Sequence, residues 1–318
     1  MTDFINAING PIAINDLNKT LMHEHLALGL AAWESDTLAD NGTRRDVVAR
    51  CVDIIQELQG SGYSTLLDPC PNDIGRDIEL MGEVSARTGF NILFAVGLYD
   101  ERLAGTYWKF KAERDPDAEQ YIADMYIREI ERGVRDTGCK PAVIKVATGL
   151  APFSHFESVA MAAAARASVA TGVPITTHTY GADGEKQLAY LTDRGVSSDR
   201  IIIGHSCGSN DGQYHRTICD GGAYIGFDRF GLAHHNSDEN RISSLLSLIS
   251  DGYTDQVIIS HDCVMNYRAS HVGRGRNPPT ISPLHFSKVI APKLLSSGLA
   301  EATLDALLID NPRRYFRG

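Results

Sequence analysis

The sequence predicts a (β/α)₈ barrel, a fold in which eight parallel strands alternate with helices. Short apolar runs recur along the chain, with stretches of helical character between them. Several runs, such as 201–203 and 257–259, are continuously apolar, as expected of parallel strands covered on both faces. The length of 318 residues suits one barrel with insertions. An open doubly wound sheet is the alternative, but GxGxxG and GxxxxGK(S/T) motifs are absent, so nucleotide-binding folds gain no support.

The elements are predicted in order from the N-terminus. Residues 3–16 form a short hairpin, because Asn9-Gly10-Pro11 is strong turn chemistry. The strand-like runs cover residues 20–26, 63–68, 91–97, 142–148, 174–178, 201–205, 223–227 and 256–261. Helical stretches cover residues 44–59, 77–87, 119–135, 157–170 and 239–250. Long connections at about 99–118 and about 262–284 are expected to shape a substrate pocket. No linker or break in composition divides residues 1–318, so one domain is predicted.

Composition limits the classes of function. The formal net charge of −10 argues against a general nucleic-acid binder, which needs a basic stripe to neutralise phosphates. The six cysteines are scattered without a CxxC pair, which suits reduced thiols. No signal-peptide pattern and no run of about 18 apolar residues occurs. We therefore expect a soluble cytoplasmic protein with no nucleic-acid or membrane partner. A small-molecule substrate and a homodimer are expected as well.

Residues that can bind a metal stand at the ends of five predicted strands. His23 and His25 lie one residue apart, and alternate side chains of a strand point to the same face, so both can aim at one ion. The other four candidates are Lys145, His178, His205 and Asp262. The carboxyl ends of barrel strands converge on the active site of this fold. Each residue alone could be an ordinary polar group at a strand end, and a buried lysine could simply be ion-paired.

These residues and the motifs around them resemble the phosphotriesterase family of the amidohydrolase superfamily, including its phosphotriesterase-like lactonases. The resemblance runs from Gly10 to the closing 311–316 segment. Its markers are Leu21-Met22-His23-Glu24-His25, Ile74-Gly75-Arg76-Asp77, Ile144-Lys145, Thr177-His178, Ile203-Gly204-His205-Ser206, the segment 225–231 and Ile259-Ser260-His261-Asp262.

The resemblance implies a binuclear metal centre. In the family, the residues that match His23, His25 and Asp262 hold one divalent ion, and those that match His178 and His205 hold the other. The residue that matches Lys145 is carboxylated by CO₂ and bridges the two ions, because a carbamate is an anion with two oxygens whereas a protonated lysine cannot ligate. A hydroxide shared by the ions is the nucleophile, and Asp262 takes its proton. Imidazole and carboxylate ligands suit Zn²⁺, while Co²⁺, Mn²⁺ and Fe²⁺ stay open.

Three further positions bear on the substrate. Tyr99 matches a tyrosine that lactonase-type members place beside the hydroxide, although it could be a packed aromatic residue at the barrel rim. Arg229 matches an arginine typical of the lactonase branch, although it could pair with Asp228 or another carboxylate. Cys263 follows Asp262 at a position that lines the family's pocket, although a buried inert thiol is the alternative.

One residue departs from the family pattern, and one cluster of residues is not part of it. Members commonly carry an aspartate three residues after the sixth-strand histidine, where it relays a proton, but here Gly208 occupies that position and Asp211 is the nearest carboxylate. The connection after strand eight carries a cationic cluster of Arg268, His271, Arg274 and Arg276. We predict a mobile lid in which Arg274 and Arg276 bind an anionic group of the substrate, and a solvated loop is the alternative.

The predicted function is hydrolysis of a lactone or similar carboxylic ester, with promiscuous phosphotriesterase activity. Arg229 and Tyr99 favour the lactone, because the metal centre alone can attack either a carbonyl carbon or a phosphorus. Hydrolysis of an N-acyl amide on the same centre is the enzymatic alternative. A catalytically silent barrel that binds a small molecule is the alternative from another class, and it should lack one of the ligands.

Overall fold

The chain forms a short N-terminal hairpin followed by eight parallel strands that alternate with helices. The computed structural model describes residues 3–39, 42–269 and 281–317. Its strands are β1 (Phe4–Ala7), β2 (Gly10–Ala13), β3 (Lys19–Leu21), β4 (Glu24–His25), β5 (Tyr63–Asp68), β6 (Asn91–Gly97), β7 (Val143–Ala147), β8 (Ile175–His178), β9 (Ile201–Ile203), β10 (Tyr224–Phe227), β11 (Val257–Ile259) and β12 (Cys263–Val264). The sheet runs β3-β5-β6-β7-β8-β9-β10-β11, and every neighbouring pair is parallel. This arrangement confirms the predicted (β/α)₈ barrel and hairpin.

Helices cover the outside of the barrel. They are α1 (Arg44–Gly60), α2 (Ile78–Thr88), α3 (Thr106–Arg114), α4 (Ala118–Arg132), α5 (His155–Thr171), α6 (Gly184–Thr192), α7 (Gly212–Asp220), α8 (Asp238–Ser250), α9 (Ala291–Ser296), α10 (Glu301–Asp305) and α11 (Asn311–Arg317), with π-helical turns at Phe286–Ile290 and Ala306–Asp310. Capping boxes begin α1 at Thr43 and α5 at Ser154, where the side chain and the third helical residue bond each other's backbone. The five predicted helices are confirmed to within three residues at either end.

The connection predicted at 99–118 contains helix α3, which the sequence pattern did not indicate. Tyr107 and Phe110 are more than half exposed, and only Ala112 of this helix is buried. An apolar stripe on one face is the main sequence signal of a helix, and α3 does not bury one.

The barrel closes through a change of partner in the first strand. β3 pairs with β5, but the strand is interrupted at Met22-His23, and the segment that follows, β4, pairs with β12 instead. The pairing continues into the loops through the Leu28–Tyr267 bridge. The run predicted at 20–26 is therefore interrupted, because the first strand leaves its second-strand neighbour to meet the last strand. The run predicted at 256–261 is a strand only over Val257–Ile259.

The apolar core of the barrel consists of two clusters. One cluster packs the helices against the sheet, and a second fills the base with residues such as Leu17, Leu67, Ile202 and Tyr315. Buried polar residues, by contrast, gather at the carboxyl ends of the strands. The barrel interior is thus apolar at its base and polar at the carboxyl ends of its strands. Among the described residues, no helix has both the length and the apolar character needed to cross a bilayer.

Candidate active site

A cavity of about 200 Å³ lies at the carboxyl ends of the strands. Its polar wall contains the residues proposed from the sequence, namely His23, His25, Tyr99, Lys145, His178, His205, Arg229 and Asp262. Its apolar wall contains Leu28, Leu30, Pro71, Ile74, Leu103, Leu232 and Val264. The barrel therefore brings polar residues from seven of its eight strand ends into one space.

Three histidines surround the Asp262 carboxylate. His25 Nε2 lies 3.3 Å from Asp262 Oδ1, and His23 Nε2 lies 3.7 Å from the same oxygen. His205 Nε2 lies 3.9 Å from Asp262 Oδ2. The group formed by His23, His25 and Asp262 has ligand atoms that all lie within 4.8 Å of one another, so these residues could hold a metal ion.

Each histidine also has an outer neighbour that fixes its ring. His205 Nδ1 bonds Asp228 Oδ1 at 3.0 Å, and His23 Nδ1 lies 3.3 Å from Asp228 Oδ2. His25 Nδ1 lies 3.3 Å from Asp68 Oδ1. These carboxylates turn each Nδ1 away from the cavity and leave Nε2 facing Asp262. Such an outer carboxylate is the usual companion of a metal-binding histidine.

His178 is held by a tyrosine instead of a carboxylate. The Tyr99 hydroxyl lies 3.0 Å from His178 Nδ1, and the His178 ring stands 4.6 Å from that of His205. His178 Nε2 is buried and has no hydrogen-bond partner among the described residues. A buried ring nitrogen is normally satisfied, so this atom could bind a ligand outside the chain.

Lys145 is a buried amine that forms no close ion pair with any described residue. Its side chain is 1% exposed, and Nζ lies 3.4 Å from His23 Nε2 and 3.2 Å from the Thr177 carbonyl oxygen. Within the described part of the chain, no carboxylate oxygen approaches this nitrogen to ion-pair distance. Burial lowers the pKa of Lys145 to about 8. The simple alternative of an ion-paired lysine is therefore not what the structure has.

Burial and neighbouring charges perturb the other groups of the cavity. Burial, and then the charge of Lys145, lowers the pKa of His23 to about 3. Burial also lowers the pKa of His178 well below its usual value. For Asp262, the effect of burial is outweighed by His205 and Arg229, which hold its pKa well below the usual range. The lowered pKa values of His23 and His178 favour the neutral imidazoles that metal ligation requires. For His25, the effect of burial is outweighed by hydrogen bonds to Asp262 and Asp68, which raise its pKa well above the usual value.

Two strand ends adopt backbone conformations that side chains rarely take. His205 has φ 60° and Asp262 has φ 57°, both in the left-handed region. This conformation costs about 1–3 kcal/mol at a residue other than glycine and clusters at functional sites. Here it directs both side chains into the barrel mouth.

Arg229 contacts Asp262 and not the neighbouring Asp228. Its Nε donates to Asp262 Oδ2 at 2.9 Å, and the residue is only 6% exposed. The arginine therefore lies beside the carboxylate that the histidines surround. It also remains part of the cavity wall, where it can reach a substrate.

The remaining substrate residues have different placements. Cys263 is fully buried, and its thiol donates to the Ile281 carbonyl oxygen, so the cavity wall is formed here by Val264 instead. A substrate contact from Cys263 thus has no support from the geometry, because the pairing of β12 with β4 turns its side chain away. Arg274 and Arg276 lie outside the described residues, as does His271.

Arg268, a member of the predicted cationic cluster, is ion-paired within the described structure. Its guanidinium donates to Asp77 Oδ2 at 2.8 Å and lies over the Trp33 ring at 5.4 Å from its centre. Its own backbone amide donates to Leu28 O. This arginine fastens the start of the connection after strand eight to the neighbouring loops.

Gly208 sits where the chain after β9 packs against the chain after β8. A Cβ at Gly208 would lie 3.3 Å from Gly181 Cα, so the two glycine backbones are in close contact. Asp211, the nearest carboxylate in sequence, caps α7 by accepting from the Gln213 amide. Asp211 therefore serves as a helix cap and does not line the cavity that contains the histidines.

Several residues of the site were not identified from the sequence. Asp68 ends β5, and the same strand-end argument that found His178 could have found it. Asp228 directly follows β10, so the strand-end argument could also have found it, but its contacts with His23 and His205 involve other strands and could not be read from the sequence. His234 and His235 line the outer cavity with rings 4.1 Å apart, in a loop without regular structure.

Comparison with known proteins gives the family. The model of the phosphotriesterase family matches residues 3–316. A "Phosphotriesterase homology protein" of Mycobacterium tuberculosis is 31% identical over 98% of this chain and 97% of its own length. An aryldialkylphosphatase of Saccharolobus solfataricus is 30% identical over 96% of both chains. An N-acetyltaurine hydrolase of Xenopus tropicalis is 23% identical over 98% of this chain and 97% of its own length.

Solved structures agree with this result. An organophosphorus hydrolase from Deinococcus radiodurans superposes with a TM-score of 0.93 and 34% identity, over 99% of this chain and 97% of its own. A mutant of a phosphotriesterase-like lactonase from the same organism gives 0.92 and 35%, over 98% and 99%. The chain belongs to the phosphotriesterase family and is a hydrolase.

Proposed function

We propose that this protein is a metal-dependent hydrolase that opens lactones or cleaves related carboxylic esters, with a weaker activity on organophosphate esters. The single observation that carries the proposal is the convergence of four imidazoles, one carboxylate and one buried lysine on a single cavity that also has an apolar wall. Six groups of this kind serve no purpose in packing and are costly to bury.

The donor set fits two divalent cations. His178 Nε2 is buried with no hydrogen-bond partner in the part of the chain that the structure describes, and three other Nε2 atoms face Asp262. Imidazole and carboxylate donors suit Zn²⁺, and Co²⁺, Mn²⁺ and Fe²⁺ are compatible. The proposed ligands are His23, His25 and Asp262 for one ion, His178 and His205 for the other, and Lys145 for both.

Lys145 is proposed to ligate as a carbamate. Its lowered pKa of about 8 leaves part of the amine uncharged near neutral pH. The uncharged nitrogen forms a bond to the carbon of CO₂ and releases one proton, which leaves a carbamate anion on the side chain. The anion would replace a buried cation by the negative charge that two metal ions require.

The residues of the chain would divide the work of hydrolysis. When bound, the two ions would activate water as the nucleophile and withdraw electrons from the substrate's carbonyl or phosphoryl oxygen. Asp262 stays ionised, because its pKa is held low, and is available to take the proton of that water. Arg229 fixes Asp262 through a bond of 2.9 Å. Tyr99 orients His178 and closes one side of the cavity.

The cavity favours an uncharged, partly apolar substrate. Leu28, Leu30, Leu103 and Leu232 line its wall, and such a wall suits an acyl chain. Arg229, which the resemblance associates with the lactonase branch, supports a lactone. The structural neighbours named for lactonase activity support it as well.

Hydrolysis of an N-acyl amide is the second candidate. The observation in its favour is the likeness to N-acetyltaurine hydrolase along nearly the whole chain. The same centre would attack an amide carbonyl, although an amine leaving group then has to be protonated.

A substrate panel decides between the candidates. We would measure kcat/KM for lactones of several ring sizes and acyl lengths, for N-acyl amides including N-acetyltaurine, and for a paraoxon-like ester. The proposal predicts the highest kcat/KM on a lactone. Turnover of an amide far above every lactone would replace it, and no turnover of any member by zinc- or cobalt-loaded protein would refute both.

A further inference from the structure

The seam between the first and last strands is held by one buried carboxylate. Regular pairing stops at the edges of the eight-stranded sheet, β3 and β11, and across this gap β4 and β12 pair over only two residues each. Glu24, the residue between the two histidines of β4, is 0% exposed. Its side chain crosses the gap and bonds the strand that carries Asp262.

The Glu24 carboxylate accepts four hydrogen bonds. Oε1 accepts from Ser260 Oγ at 2.8 Å, from the His261 amide at 2.9 Å and from His261 Nδ1 at 2.7 Å. Oε2 accepts from the Cys263 amide at 2.9 Å. The two backbone amides, of His261 and Cys263, belong to the residues immediately before and after Asp262. The carboxylate therefore grips both sides of the residue whose backbone is in the left-handed region.

The neighbours of Glu24 are fixed in the same way. The His23 amide donates to Ser260 Oγ at 2.9 Å, so Ser260 links His23 to the carboxylate. The Phe286 amide donates to His261 Nε2 at 3.0 Å, so Nε2 is bare and Nδ1 carries the hydrogen given to Glu24. Each donor that faces Glu24 thus points to one of its carboxylate oxygens, so these hydrogen bonds fix the orientation of the carboxylate.

We propose that Glu24 is a positioning residue that sets His23 and His25 against Asp262, so that metal binding between them depends on its carboxylate. The inference rests on the proposed metal centre. The three side chains come from two strands that regular pairing does not align, and their ligand atoms must agree to within a few tenths of an ångström to bind an ion. The Glu24 hydrogen bonds supply this alignment.

Glu24→Gln is the direct test. Glutamine has one acceptor oxygen, so if that oxygen keeps the three donors of Ser260 and His261, its amide group faces the Cys263 amide, donor against donor. Co²⁺ affinity would be measured by competition with a chelator, and the visible spectrum of bound Co²⁺ would report the ligand geometry. We expect wild type to bind about two ions per chain and the variant to bind about 10- to 100-fold more weakly, with an altered spectrum.

Glu157→Gln is the matched control. Glu157 is also buried and accepts from the backbone amides of Gly149, Glu101 and Ser154, but it does not touch β4 or β12. We expect it to lower the thermal midpoint while Co²⁺ affinity and spectrum stay those of wild type. Ser260→Ala removes one donor and the link to His23, so it tests the same idea by a several-fold loss if the glutamine variant does not fold.

The outcomes separate the two proposals. Wild-type affinity and spectrum in Glu24→Gln, or in Ser260→Ala if that variant alone folds, would overturn the positioning role. An equal loss in Glu157→Gln would overturn it too, because the effect would then be general destabilisation. Wild-type protein that binds no Co²⁺ would instead refute the metal centre itself, and the positioning role with it.

Discussion

Replacing Asp228 with asparagine measures what one outer carboxylate contributes to the proposed centre. Asp228 accepts from His205 Nδ1 at 3.0 Å and lies 3.3 Å from His23 Nδ1. It also accepts from the His205 amide at 2.9 Å. Asp228 thus orients one proposed ligand of each ion, from a position where it is only 1% exposed.

The size of the effect follows from the acceptors that are lost. Asparagine keeps one oxygen, so if that oxygen stays with His205, its amide group faces His23 Nδ1. A hydrogen bond to a charged group contributes about 1.5–3 kcal/mol, which corresponds to roughly 10- to 100-fold in affinity. Loss of a buried negative charge acts in the same direction. We therefore expect zinc and cobalt to bind about 10- to 100-fold more weakly, in line with other outer-shell changes.

A chelator-competition titration of Asp228→Asn checks this estimate, with Asp238→Asn as its control. Asp238 Oδ2 bonds His285 Nε2 at 2.7 Å, so the control breaks a second carboxylate–histidine pair away from the cavity. Metal affinity in the control should equal that of wild type. Unchanged affinity in Asp228→Asn, or the same loss in both variants, would refute the reasoning.

Three further predictions follow from the cavity. Lys145 has a pKa of about 8, so its free-amine fraction falls about eightfold from pH 7.5 to 6.5, and at fixed dissolved CO₂ the reactivation of chelated protein should slow to the same extent. A rate independent of pH or of CO₂ would contradict carbamate formation. Tyr99→Phe removes the hydroxyl 3.0 Å from His178 Nδ1 and should lower lactone kcat/KM by up to about tenfold, and an unchanged kcat/KM would leave Tyr99 a packing residue. Arg229→Lys should lower lactone kcat/KM by about tenfold or more, because a point charge does not reproduce the Nε contact to Asp262, so full activity in the lysine variant would show that charge alone matters.

Two kinds of sequence pattern predict the barrel. Runs such as 201–203 identify strands covered on both faces, and capped helices such as α5 separate them. Because strand ends of a barrel converge, ligand-type residues at those ends predict one cluster even though they are far apart in the chain. His178 and His205, with ring centres 4.6 Å apart, illustrate this argument.

The parts that could not be predicted depend on contacts between distant elements. The first strand changes its pairing partner at Met22-His23, and the residues of a strand do not reveal which other strand it pairs with. Arg268 looks like part of a cationic cluster in sequence, but Asp77, far away in the chain, pairs with it. Asp228 serves two histidines from other strands, whereas its sequence neighbours suggest only a pairing with Arg229. The predicted homodimer stays a prediction.

The metal content of the purified protein tests the central claim most directly. Protein from cells grown with zinc or cobalt, exchanged into metal-free buffer, would be measured by inductively coupled plasma mass spectrometry against its concentration. Two ions held by six residues predict a value near two per chain. A value near zero after incubation with bicarbonate and excess zinc would contradict the proposed centre and the hydrolytic mechanism built on it.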